Sequence, residues 1–439
     1  MPQDSPEQLA RDIAAGLKGR GFQAYLVGGC VRDRLLGRRP DDYDVSTNAT
    51  PEHILEIFPG AKLVGAKFGV VLVTRESAAV EVATFRTDGV YRDGRRPDQV
   101  VFETDPQRDV ERRDFTINGL MMDPFSEDVI DLVGGRRDLE AHLIRAIGDP
   151  RRRFEEDRLR MLRAVRFAAR LGFDIEPDTF GAIRELSGKI REISPERVRD
   201  ELVRILVEGG ARRGFEWMDE TGLLAEILPE ISAMKGVEQP PQYHPEGDVW
   251  THTLIMLDGL RDPTPELALG VLLHDVGKPS TFRVTDRIRF NGHVQAGVEL
   301  TRRIMNRLRF SNEQISQVEA LVANHMRFMH IDQMRDSTLK RFFRLGHFDQ
   351  HLELHRLDCA SSRRSLHSYN FARERFASMS PEERKPSLLL TGHDLIRAGY
   401  APGPEFSTWL DAAEDAQLEG RIATREEALA LVRTLAAKR

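Results

Sequence analysis

The periodicity of this chain changes once, near Gly148, and that change limits the possible folds more than any other feature. Before it, short runs rich in β-branched and aromatic residues alternate with helical patterns. AYLVG (24–28), YDVS (43–46), FGVVLV (68–73) and VEVATF (80–85) read as strands, bounded by Gly, Pro, Asp or Asn. Between them, VRDRLLG and PEHILEIF carry apolar residues at helical spacing, with Pro51 suited to a first turn and Thr50 to its cap. After Gly148 almost every periodic segment reads as helix, among them FEEDRLRMLRAVRFAARLG, PERVRDELVRILVEG and NEQISQVEALVANHM. The expectation is an α+β multidomain chain, with a compact mixed sheet in an α/β head over 1–150 and helices beyond. Gly-Pro punctuation in PEISAMKGVEQPPQYHPEGD (229–248) and the loop-rich ASMSPEERKPS (377–387) divide the remainder into 151–235, 236–376 and a helical tail, 377–439.

Composition narrows the class. A chain of 439 residues exceeds what one hydrophobic core organises. Two cysteines, Cys30 and Cys359, far apart and without metal-ligand spacing, exclude a disulfide framework and favour a reducing compartment. No apolar run approaches the roughly 18–20 residues that span a bilayer. The N-terminus has no basic segment leading into an apolar one, so no secretory signal is read there. A soluble, cytoplasmic protein is expected, with no membrane contact and no protein partner implied. The net charge of −6 argues against indiscriminate coating of nucleic acid, yet Arg151 to Arg170 holds eight arginines against three acids. That stretch is either a solvated helix face with internal ion pairs or a local patch for polyanions.

The most informative segment is YLVGGCVRDRLLGRRPDDYDVSTNATP. A strand runs into Gly28-Gly29 and a helix is expected from about Val31. Paired glycines let backbone approach a phosphate closely. Asp42 and Asp44, at i and i+2 on the next strand, would project together. Two carboxylates that close are costly unless a cation lies between them, and Mg²⁺ prefers carboxylate oxygens plus substrate phosphates. Glu81, on VEVATF, is the candidate third carboxylate on a neighbouring strand.

Gly28-Gly29-x-Val31-Arg32-Asp33 followed by Asp42-x-Asp44 resembles the first motif of the class II tRNA nucleotidyltransferases and bacterial poly(A) polymerases, of the polymerase-beta-type superfamily. Further motifs follow in that family's order. Arg112-Arg113-Asp114-Phe115-Thr116-Ile117-Asn118 resembles the second, which carries ribose and triphosphate contacts. Asp131 to Leu139 resembles the hinge motif, Glu156-Asp157-x-x-Arg160 the base-reading motif, and Ser194-Pro195-Glu196-Arg197-Val198 the fifth. The resemblance implies Asp42, Asp44 and Glu81 as catalytic, with Mg²⁺ on Asp42 and Asp44. It implies nucleotide binding by Gly28, Gly29, Arg32, Arg113, Asp114, Asn118, Glu156, Asp157, Arg160, Arg163 and Arg166. Asp157 and Arg160, at i and i+3 on a predicted helix, are either an intrahelical ion pair or a shared base-reading face. A carboxylate accepts from an amino group and a guanidinium donates to a ring nitrogen or carbonyl, a pattern that suits cytosine and adenine and not guanine or uracil. The polar segment 86–102 matches a loop that the family associates with the switch to ATP.

In the C-terminal half the histidines are spaced informatively. His252 opens an apolar helix, His274-Asp275 closes VLLHDVGK, His293 and His325 follow, and Asp358 lies in HRLDC. This order resembles the HD-domain metal phosphohydrolases. It implies a second divalent metal on His252, His274, Asp275 and Asp358, with His293 and His325 as further candidates and Lys278 placed for a substrate phosphate. The whole pattern implies an enzyme that adds CCA, or its terminal A, to tRNA 3′ ends from CTP and ATP, with a phosphohydrolase in the HD region. The rivals are untemplated poly(A) addition and an HD phosphohydrolase whose head only binds nucleotide.

Overall fold

The computed structural model describes residues 5–65, 68–89 and 99–437. The chain forms two compact units, Met1–Ser232 with Arg307–Arg309, and Ala233–Asn306 with Phe310–Arg439. The first change of unit falls within the Gly/Pro-rich stretch beginning at Pro229.

The first unit opens with α1 (Pro6–Lys18), whose start is set by Ser5 accepting from the Gln8 amide and by Pro6 in the first turn. Leu9, Ile13 and Leu17 repeat at helical spacing and are buried. A seven-stranded sheet follows, made of β1 (Ala24–Val27), β2 (Asp44–Thr47), β3 (Lys62–Gly65), β4 (Val70–Arg75), β5 (Ala78–Thr84), and, beyond a separate ribbon of β6 (Arg86–Asp88) and β7 (Val100–Phe102), β8 (Met121–Met122) and β9 (Val129–Ile130). Its order is β3-β4-β5-β2-β1-β8-β9. Only β2 and β5 run parallel, so the sheet is mixed as expected. Four of these strands were legible as runs rich in β-branched and aromatic residues. β8 and β9 are two residues long, too short to alternate, and β3 exposes Leu63 and Val64. Residues 90–98, the middle of the expected ATP-switch loop, lie outside the described residues.

Helices α2 (Gly29–Leu35) and α3 (Pro51–Ile57) follow β1 and β2, and α4 (Pro106–Glu111) and α5 (Gly135–Glu140) come later in the head sequence. Then α6 (Pro150–Glu156), α7 (Arg160–Leu171), α8 (Pro177–Leu186) and α9 (Pro195–Val207) build a helical layer. The segment expected as one helix from Phe154 to Gly172 is two. Asp157 ends α6 in an extended conformation, φ −141°, ψ 104°. Its carboxylate accepts from the Leu159 amide (3.1 Å), an Asx-type turn that competes with helical continuation and starts α7 afresh.

The second unit is nearly all helix, apart from a hairpin of Arg283–Val284 and Ile288–Arg289. Helices Val249–Asp258, Pro265–Leu273 and Asn312–Asn324 are capped by Asp248, Thr264 and Ser311 side chains. Phe328, Phe342, Phe343 and Phe348 pack edge-on into one core cluster, and Leu395, Ala428 and Val432 centre another near the C-terminus.

Candidate active site of the head and a histidine cluster of the second unit

β1 ends at Gly28, whose φ of 73° and ψ of −131° suit glycine alone, and α2 begins at once on Gly29 rather than near Val31. A Cβ added to Gly28 would stand 3.6 Å from Nη1 of Arg113, so that guanidinium rests over the turn. β2 opens at Asp44, and Asp42 lies before it. Strand alternation therefore does not explain how the two carboxylates come together. Both nevertheless line one cavity of about 650 Å³ with Gly28 and Gly29. Glu81 stands opposite Asp44 in the parallel β2–β5 register, and it is not part of the cavity lining. Loss of hydration pushes the Asp44 carboxyl up to about 6. Glu81 and Asp42 push the same way, while Arg113 opposes them. A carboxyl raised by like-charged neighbours is what a divalent cation relieves, so Asp42 and Asp44 fit a Mg²⁺ ion.

Among the described residues, ten arginines, five acidic residues and no lysine line the cavity. Each arginine near the carboxylates is held from behind. Asp109, fully buried, accepts from Nε and Nη2 of Arg112 (2.9 and 2.6 Å), from Nη2 of Arg113 (2.9 Å) and from the Ser46 hydroxyl (3.1 Å). Arg32 donates to Asn118 (2.7 Å) and Asp33 (2.8 Å). Asp114 takes Nε and Nη2 of Arg163 at 2.9 and 2.5 Å, plus the Asn118 amide at 3.1 Å. Arg166 is paired with Glu201 and Glu208 and lies 4.3 Å from the Phe167 ring centroid. Asp109, Glu201 and Glu208 carry no motif signal. For Asp109 the one clue was its position three and four residues before Arg112 and Arg113, the spacing of a helical ion pair.

Asp157 and Arg160 do not share a helix face, because the chain breaks between them. Asp157 is instead bound by Arg197 on α9 (3.0 Å), and Arg160 by Glu156 (3.0 Å) and the carbonyls of Arg153 and Arg112. Asp157, Arg160, Arg163, Arg197 and Asn118 all line the cavity. Glu156 does not, and instead pairs with Arg152, Arg153 and Arg160. Arg197 belongs to the Ser194–Val198 motif, which was the available signal for it.

In the second unit, five helices and their ends bring His252, His274, Asp275, His293, His325 and Asp358 together. All but His293 are fully buried, and a cavity of about 450 Å³ opens beside them. His252 Nε2 lies 3.2 Å from Asp358, and His274 Nε2 lies 3.1 Å from Asp275. Burial pushes His325 down to about 4 and lowers His293. Burial alone would raise Asp275, yet His274 and Lys278 hold it well below the usual carboxylate range. Lys278 Nζ sits 2.6 Å from Asp275 and 2.6 Å from Gln239. Glu246, unforeseen from sequence, holds Nδ1 of His252 at 2.7 Å, and Arg364 pairs with Asp358.

Residues 24–145 match the family model of the poly A polymerase head domain, and 172–235 that of a probable RNA and SrmB-binding site of polymerase A. Residues 293–432 match a putative tRNA nucleotidyltransferase domain 2. A CCA-adding enzyme of Enterococcus faecalis is 46% identical over 264 residues, 59% of this chain and 64% of that protein. One of Geobacillus stearothermophilus is 45% identical over 227 residues, 52% of this chain and 56% of that protein. The aligned part thus spans about three fifths of these curated relatives. In solved structures, a Bacillus stearothermophilus CCA-adding enzyme in complex with CTP is 28% identical with a TM-score of 0.77, covering 99% of this chain and 98% of that one. A Thermotoga maritima CCA-adding enzyme shares the fold at 20% identity and a TM-score of 0.60. Among the described residues no helix is long and apolar enough to cross a membrane.

Proposed function

We propose, for a chain related to the tRNA nucleotidyltransferases and poly(A) polymerases, that it adds CCA, or its terminal A, to tRNA 3′ ends from CTP and ATP. The observation that carries this reading is the single cavity onto which the Gly28–Gly29 turn, the Asp42/Asp44 pair and the Asp157/Arg160 pair all open. Nucleotidyl transfer is an in-line attack of a 3′-hydroxyl on an α-phosphate, so the site must mainly position and neutralise. Mg²⁺ held by Asp42 and Asp44 would activate the hydroxyl and steady pyrophosphate. Arg113, fixed by Asp109 above the glycine turn, meets the triphosphate, and Arg32, Asp114, Asn118 and Arg163 form the wall beside it. Asp157 and Arg160 accept the amino group and donate to the ring acceptor shared by cytosine and adenine. Leaving such buried groups unpaired costs about 1–3 kcal/mol each, which rejects guanine and uracil. The division into a head (1–150), neck (151–235), histidine-bearing domain (236–376) and tail (377–439), and a cytoplasmic location, accompany this reading.

A second reading concerns the other unit. Its histidine cluster holds a divalent metal on His252, His274, Asp275 and Asp358 and hydrolyses small phosphoesters, as an HD domain would. Supporting it, Nε2 of His252 and of His274 is buried without a hydrogen-bond partner, an arrangement that a metal ligand explains.

The test is to offer a transcript ending before CCA with CTP, ATP or both, and to sequence the products. CCA addition limited to three nucleotides is expected, and it should vanish in Asp44→Asn. Long adenylate tails without cytidine would replace this reading with poly(A) synthesis.

A further inference from the structure

We infer that Phe167 is a positioning residue of the head cavity, whose ring gathers the guanidinium groups of Arg32, Arg163 and Arg166 by cation–π attraction and sets the spacing at which they meet a nucleotide. This rests on the nucleotidyl-transfer reading of that cavity and adds an uncharged residue to it.

Phe167 lies on α7 beside Arg166 and one helical turn after Arg163, so Arg163 shares its face. Arg32 reaches the same ring from α2. The guanidinium carbons of Arg32, Arg163 and Arg166 stand over the ring at 5.3, 5.5 and 4.3 Å from its centroid. All three are inside the roughly 6 Å over which a ring face attracts a cation. Phe115, fully buried, meets the ring at 5.8 Å with the two planes 78° apart, an edge contact that sets its tilt. The ring lines the cavity and is only 6% exposed, so it stands among the arginines rather than behind them.

Three guanidinium groups gathered round one ring repel one another. Each has a carboxylate on another side: Asp33 for Arg32, Asp114 for Arg163, and Glu201 with Glu208 for Arg166. A further carboxylate at the centre would also hold them together, but it would cancel the charge a triphosphate needs and repel the triphosphate itself. An aromatic ring attracts cations through its quadrupole while carrying no net charge. The three groups therefore stay close and stay positive. A leucine there would fill space without that attraction.

Arg32 connects the ring to the glycine turn, since a Cβ on Gly29 would stand 3.6 Å from its Nη2. Asn118 joins Arg32 to Asp114, and so to Arg163, by a second route (2.7 and 3.1 Å). A weaker ring would let the guanidinium groups spread, and their reordering would then oppose nucleotide binding. Under the proposed function the base is read at Asp157 and Arg160, so the effect falls on CTP and ATP alike.

The experiment replaces Phe167 in the full chain by 4-fluoro-, 3,5-difluoro- and 3,4,5-trifluorophenylalanine, which keep the ring's shape while progressively draining its face of negative potential. Kd for CTP and for ATP is read by calorimetry with Mg²⁺, kcat and KM on transcripts ending before CCA and after CC, and the melting midpoint alongside. We expect Kd and KM for both nucleotides to climb with each fluorine, to about tenfold for the trifluoro ring, with kcat changed by less than about threefold. Phe167→Leu should match or exceed that loss. A ring that only packs would leave Kd flat across the series even where the midpoint falls, and that result overturns the proposal. So does a series that weakens ATP binding and spares CTP, which would make the ring a stacking partner of the base. Wild-type protein that binds both nucleotides but adds neither removes the transfer reading, while the fluorine series still decides the role of Phe167. Binding of neither nucleotide overturns both.

Discussion

Asp114 shows how much of the head's electrostatics rests on single buried carboxylates. Burial alone would raise its pKa, but the Arg163 guanidinium, aided by Asn118, holds it at about 2, against an ordinary 3.8. A carboxyl depressed on folding contributes stability that is fully present above about pH 4 and is lost as pH falls toward 2. The size is on the order of 2 kcal/mol. Denaturant unfolding at pH 7, 4 and 3 should show Asp114→Asn less stable by about that amount at neutral pH, with the gap closing in acid. A gap that stays constant with pH would mean the Arg163 contact is not charge-dependent. At this scale the sequence was partly legible. Motif residues such as Asp114, Asn118 and Arg113 could be named from their neighbours in the chain. Asp109 lies three and four residues before the arginines it supports, a spacing shared by any helical ion pair, and Glu201 meets Arg166 from 35 residues away, so neither is marked in the chain as the back support of an arginine.

At the scale of elements, the break between α6 and α7 changes how the proposed base-reading pair is held. Periodicity alone extends one helix across Asp157, because apolar spacing continues on both sides. Only the competition between the Asp157 carboxylate and the helix backbone explains the interruption. Under the proposed function α9 joins the base-reading residues through Arg197, which among the described residues alone forms an ion pair with the Asp157 carboxylate. Arg197→Ala should therefore lower the ratio of kcat/KM for CTP over UTP by about tenfold, within the range that one mispaired group supplies. The melting midpoint should shift little, because this ion pair is partly exposed and such pairs contribute little to stability. Equal slowing of all four nucleotides would assign Arg197 to phosphate binding instead. The strands of the head were legible where β-branched and aromatic residues run together, as in β4 and β5. Those of two residues were not, since two residues carry no period.

At the scale of the whole molecule, the head cavity and the histidine cluster lie in separate compact units with separate cores. Substitutions in one need not be transmitted to the other. His274→Ala with Asp275→Ala should remove metal-dependent phosphoester hydrolysis, while CCA addition stays within about threefold of wild type, as sites that share no partners usually behave additively. Loss of both activities together would show that the units act as one. The change of texture near Gly148 and the Gly/Pro stretch from Pro229 were visible in sequence. They did not reveal that head and helical layer pack as one compact unit, because the arginine–carboxylate pairs joining them, such as Arg163 with Asp114, connect residues 49 apart.

The cavity's reliance on arginine has a chemical consequence of its own. A guanidinium stays protonated throughout the range in which proteins survive, whereas an ammonium begins to discharge near its pKa of about 10.4. With ten guanidinium groups and no lysine amine among the described residues of its lining, the cradle keeps constant positive charge well into alkaline solution. Among the described lining residues, reagents that acylate amines find no target, whereas α-dicarbonyls, which condense with guanidinium groups, do.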